Sequence, residues 1–135
     1  MHDEDVIRVF LTESRENLFR VDKELVELER SPQETALLAS IYRTIHTIQE
    51  TCGFLAFSIL ERITHQAKTL LSQLRDGKRE LTPSLISLIL ETVDVTLTIM
   101  DSIEVTGEEG TEQFEDLESR LRQAAHMQAE DATSY

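Results

Sequence analysis

An all-α fold, an up-and-down four-helix bundle with a fifth helix appended at the C-terminal end, follows from three features of the 135-residue sequence. Four glycines and two prolines leave few of the breaks that hairpins and tight strand turns require. Apolar residues recur at intervals of three and four, with no sustained alternation. The intervals between these periodic segments are short, so successive helices run antiparallel. A chain of this length suits one domain with a single core.

Each element has its own justification. The first helix, about residues 3–29, carries Ile7, Leu11, Ser14, Leu18, Val21, Leu25 and Leu28 on one face, and Asp3, Glu4 and Asp5 in the first turn favour the positive end of its dipole. SPQE at Ser31 reads as a capping box, with Pro32 at the first helical position and Glu34 at the third. A second helix follows over about 32–52 with Leu38, Ile41, Ile45, Ile48 and Cys52 inward, and Gly53 is expected to end it. The third, 58–75, turns Leu60, Ile63, Ala67, Leu70 and Leu74 inward and closes at Asp76–Lys78. Thr82 followed by Pro83 caps a fourth helix, 83–104, with Leu85, Ile89, Thr92, Val95, Ile99 and Ile103 inward until TGEEGTE breaks it. The fifth, about 111–128, presents Phe114, Leu117, Leu121 and Ala124.

Charge narrows the range of functions. Thirteen basic and 26 acidic residues give a net charge of −13, which would repel nucleic acid and anionic membranes and favours a partner with a neutral or basic face. The one cysteine, Cys52, excludes an internal disulfide, fits a reducing cytoplasm, and lies on the apolar stripe as core packing. No stretch reads as a spanning helix and the N-terminus does not read as a signal peptide. No phosphate-cradling glycine loop, GxSxG, paired CxxC or HExxH is present, so no familiar ATP site exists in this chain. A carboxylate-bridged metal centre is not expected: Glu61 and His65 are four apart rather than three, off the apolar stripe, and form only one such pair.

His46 is the remaining candidate. It lies off the inward face of the second helix, beside Tyr42, Arg43, Gln49 and Glu50, where an ordinary core histidine would not be. A neutral imidazole is a nucleophile near pH 7 and can carry a phosphoryl group. The plain alternative is one polar residue on a solvated face.

The chain resembles the N-terminal histidine phosphotransfer (Hpt) domain of CheA-type chemotaxis kinases from its acidic first helix through ETVD at Glu91–Asp94, and weakly into the fifth helix, which implies one such domain over residues 1–135. The resemblance rests on HTI at His46, TCGFLAF at Thr51, and Thr64–His65 followed by Leu70–Leu71, with His65 placed 19 residues after His46. It implies that His46 is phosphorylated by a separate CheA-type kinase catalytic domain and donates to an aspartate of a CheY-like response regulator. ATP and Mg²⁺ would then be used by those partners, with no cofactor in this chain. His65 would neighbour the His46 ring, and Tyr42, Arg43, Thr47, Gln49 and Glu50 would form the docking face.

Three positions depart from the family pattern. Ile48-Gln49-Glu50 stands where Ile-Lys-Gly is usual, and Lys68 stands where a glutamate usually holds the reactive ring. Losing one cation and gaining one anion beside the phosphoryl position costs on the order of 1 kcal/mol where partly desolvated. Gln49 can still offer a hydrogen bond, and Lys68 can replace the missing cation or pair with Glu50. Against phosphotransfer stands a regulator-docking module whose transfer is weak or lost through Gln49, Glu50 and Lys68. A purely structural bundle is the third reading.

Overall fold

The computed structural model describes residues 2–126. It has five helices: α1 (His2–Arg30), α2 (Thr35–Leu55), α3 (Ser58–Arg75), α4 (Pro83–Thr106) and α5 (Glu115–His126), with no strand among the described residues. α1 packs on α2 and α4, and α3 closes the ring between them, while α5 lies against α3 and the adjoining edge of α4. The inward residues are those of the 3–4 periodicity: Leu18, Val21, Leu25, Ile41, Ile63, Leu70 and Leu121 are fully buried. On α4 the stripe is rotated toward Ile86, Val93, Thr96 and Met100, leaving Leu85 and Val95 only half-buried. α4 is also long and apolar enough to span a membrane by length and composition, contrary to the plain sequence reading. Its buried Ile86–Ile103 face serves the bundle core instead.

The turns differ from expectation, each for a local reason. No capping box forms at Ser31. α1 continues to Arg30, the Ser31 N–H still donates to the Glu27 carbonyl (3.0 Å), and Ser31 C=O accepts from Glu34 N–H (3.0 Å). Pro32 therefore sits in a tight turn, a position its fixed φ suits, and α2 starts at Thr35 rather than at 32. Nor does Gly53 end α2. The helix runs to Leu55 and closes on Ala56 in the left-handed conformation (φ 66°), with Phe57 N–H donating to Cys52 C=O and Ala56 N–H to Gly53 C=O. This is a Schellman closure without glycine. Burial of Phe57, stacked on Phe10 of α1 at 6.2 Å, offsets the cost of a left-handed alanine. Thr82 caps α4 as expected, its Oγ1 accepting from Leu85 N–H, and Gly107 (φ 83°) ends that helix at Thr106, two residues later than expected. α5 starts at Glu115 rather than 111, because Phe114 adopts φ 54° and cannot continue a helix. The expected last residues, Met127 and Gln128, lie outside the described residues.

Side chains from the last loop fasten the bundle. Phe57 gives α3 no side-chain cap, and the Glu109 carboxylate supplies one instead. Its oxygens accept from Ile59 N–H (3.2 Å) and Leu60 N–H (2.7 Å). A carboxylate at a helix N-terminus is favoured by both hydrogen bonding and the dipole. Glu109→Ala is expected to destabilise the domain by about 1–2 kcal/mol in urea unfolding, with an unchanged m-value. α5 is held by Arg62 to Glu118 (3.1 Å), by Arg120 on both oxygens of Glu91, and by Gln73 and Arg79 on the Ala125 carbonyl.

One group opposes folding. Asp22 of α1 has a buried, unpartnered Oδ1, and desolvation followed by the nearby Asp94 raises its pKa. A carboxyl raised by folding favours its protonated form in the folded state. Stability therefore increases as pH falls through the folded pKa, until the unfolded chain protonates as well. Asp22→Asn is expected to raise stability at neutral pH by about 1 kcal/mol or less and to flatten this acid-side gain, measured by thermal melts across pH 4–7.

Candidate functional site

Helical geometry brings the site together on one stripe of α2. Tyr42, His46 and Glu50 are spaced at four, so their side chains stack along one face. The Tyr42 and His46 rings lie parallel, 8° apart in plane with centroids 5.7 Å apart. Arg75, at the end of α3, lays its guanidinium 4.1 Å from the Tyr42 ring centre and is itself held by Asp76 at 3.0 Å. This cation–π contact ties the stripe to the neighbouring helix. The sequence could have signalled Tyr42 as the ring's neighbour through its i−4 spacing. Arg75 depends on the antiparallel register of α2 and α3, which no local pattern gives.

His46 is half-exposed, with 38% of its side chain accessible. Its Nδ1 is buried and has no hydrogen-bond partner among the described residues, so the ring meets the outside through its Nε2 edge. Nε2 lies 3.4 Å from Oε2 of Glu50, whose own side chain is mostly exposed. Gln49 carries a second buried oxygen without a partner, Oε1. The expected Glu50–Lys68 pair is absent: Glu50 turns along its own helix to His46, one turn away, rather than across to α3. Lys68 is half-buried and forms no ion pair among the described residues. His65 is exposed on α3, and its imidazole makes no hydrogen bond to a described residue; the ring stacked on His46 is that of Tyr42.

Arg43 and Thr47 are exposed on α2, and Thr47 lines a groove of about 180 Å³ between α1 and α2 with Val6, Val9, Phe10 and Ile48. Of the cluster after Gly53, Phe57 closes the core, Leu55 is half-buried, and Phe54 stands in the open at 83% exposure. Cys52 is fully buried, and burial, then Glu109 and Glu61, push its thiol up to about 12. It is a packing residue and no nucleophile at neutral pH.

The arrangement presents one edge of an imidazole at the surface of a helix, beside the aromatic ring of Tyr42. Comparison with known proteins agrees, since the Hpt domain profile matches residues 5–100. The chain belongs to the Hpt domain family. It is 34% identical over 104 residues to the Helicobacter pylori sensor histidine kinase CheAY, across 77% of this chain. It spans only 13% of that protein's length. The solution structure of a CheA histidine phosphotransfer domain superimposes with a TM-score of 0.79 at 25% identity, covering 88% of this Hpt domain and 90% of that chain. The phosphorylated P1 domain of CheA3 from R. sphaeroides, solved in complex with CheY6, shares the fold with a TM-score of 0.82 at 18% identity, covering 91% and 96% respectively.

Proposed function

We propose that this Hpt domain is a phosphocarrier of a chemotaxis two-component system, acting in the cytoplasm through His46. The observation that carries the reading is the placement of His46: its Nε2 edge faces outward while its ring stacks on Tyr42, which Arg75 in turn covers. In the first step the Nε2 lone pair attacks the γ-phosphorus of ATP held by a CheA-type kinase catalytic domain. The N–P bond forms as the P–O bond to ADP breaks. In the second step an aspartate of a CheY-like response regulator attacks that phosphorus and the imidazole leaves. The R. sphaeroides P1 domain, phosphorylated and bound to CheY6, is an instance of both states in a protein of the same fold. ATP and Mg²⁺ belong to the partners, and this domain contributes a positioned nucleophile.

Gln49 and Lys68 would serve as donors to phosphoryl oxygens, a role a carboxylate could not fill. Arg43, Thr47 and the α1–α2 groove supply the surface beside the nucleophile on which a kinase domain or regulator would settle. The test is incubation with a CheA-type catalytic domain and γ-labelled ATP, then chase with a CheY-like protein. Acid-labile, base-stable label that discharges to the regulator is expected. Regulator binding with no label from any donor would leave a docking module and overturn phosphotransfer.

A further inference from the structure

We propose that Glu50 determines which phosphoryl donor can use His46, by holding the imidazole in the tautomer that cannot react; this rests on the phosphocarrier reading. The carboxylate oxygen of Glu50 lies 3.4 Å from Nε2. This is a charge contact rather than an aligned hydrogen bond, and a carboxylate, which offers only lone pairs, favours the tautomer with the proton on the nitrogen facing it. A protonated Nε2 has no lone pair with which to attack phosphorus.

The reactive tautomer carries its proton on Nδ1, and a buried N–H needs an acceptor. Nδ1 of His46 and Oε1 of Gln49 are both buried and both unpartnered. They are three residues apart on one helix, where side chains are neighbours and lean back toward the N-terminus. They do not bond each other in this structure, and a rotation of the Gln49 amide would make them the donor and acceptor of the reactive state. Conversion moves one proton. A movement of the ring brings the buried Nδ1 to water, from which it takes a proton, giving an imidazolium paired with Glu50. Nε2 then loses its proton to water as Glu50 swings away, so the ring ends with the number of protons it began with.

A cation is what draws Glu50 off. Its side chain is 68% exposed, free to turn outward to an arginine or lysine on a docking partner, and Lys68 does not engage it. The donor this domain accepts is therefore a kinase whose docking face sets a basic side chain against this position of α2. A donor with a neutral or acidic face there meets a masked nucleophile.

Nitrogen-15 NMR of the His46 imidazole reads the tautomer without any kinase, with His46→Gln providing the assignment. The expected result is Nε2–H in the wild type and predominantly Nδ1–H in Glu50→Ala. Adding Gln49→Ala should abolish that new preference, and Gln49→Glu should retain it. With a CheA-type catalytic domain whose docking face is neutral, Glu50→Ala should accept label about tenfold faster. With one whose face is basic, the gain should be below about twofold. Nδ1–H dominant in the wild type, a tautomer ratio unmoved by Glu50→Ala, or equal gains with both donors overturns the proposal. A tautomer shift with no label on any variant from any donor overturns the phosphocarrier reading and leaves the Glu50 mask standing.

Discussion

Replacing His46 with glutamine is expected to abolish phosphoryl labelling, while His65→Gln lowers the labelling rate by less than about tenfold. The two histidines differ in their surroundings. His46 has its ring stacked on Tyr42, one nitrogen buried and the other at the surface beside Glu50. His65 is exposed on α3, and among the described residues its imidazole has no hydrogen bond to orient it or to let it orient another group. A partner bonded to a reactive ring is worth roughly 10–100-fold, by analogy with the groups that orient metal-bound histidines, and His65 makes no such bond. Glutamine at position 46 keeps a good helix former on a half-exposed site, so the fold should survive and unfolding curves should move by no more than about 0.5 kcal/mol. Loss of label with an unchanged melt then reports chemistry rather than collapse. The label itself is diagnostic, because a phosphoramidate hydrolyses in acid and survives base. Persistent label in His46→Gln, or its loss in His65→Gln, would transfer the nucleophile's role to α3.

Periodicity made most of this structure legible, because each helix must turn one apolar stripe to a single core. Leu38, Ile41, Ile45, Ile48 and Cys52 were readable as buried from spacing alone, and His46 was readable as outside that stripe. The turns were less legible, since competing partners decide them. Ser31 has the residue type of an N-cap, but its backbone is already committed to the end of α1. Gly53 has the residue type of a helix stop, but the chain gains more by reaching Phe57 and burying it on Phe10. Contacts between residues distant in sequence were not legible at all. Glu109 capping α3 from about 50 residues away, and Arg75 lying over Tyr42, exist only once the helices are in register. The departures at Gln49 and Glu50 were visible as letters, and their meaning came from geometry: one holds an orphaned oxygen, the other touches the nucleophile.

The largest expected loss of stability comes from α3, which packs against α2, α4 and α5. Leu70 is fully buried there, in the core stripe with Ile63, Ala67 and Leu74. Leu70→Ala removes its transfer free energy and leaves a cavity that the packed helices around it cannot close. The cost should be about 2–5 kcal/mol. For a domain of this size that lowers Tm by roughly 10 °C or more. Leu70→Met, close in volume, should cost less than about 1.5 kcal/mol. Phe54→Ala removes a larger side chain but one that stands 83% exposed, and should change stability by about 0.5 kcal/mol or less. Ordering by burial rather than by size is the discriminating outcome, and equal losses at Leu70 and Phe54 would contradict this packing. Because Leu70 contributes through the core and not through the nucleophile, labelling of His46 in Leu70→Ala should follow the folded fraction. It should recover on cooling to 10 °C, where the variant is folded. A rate that stays low in fully folded Leu70→Ala would mean that the α2–α3 packing also sets the pose of the His46 ring.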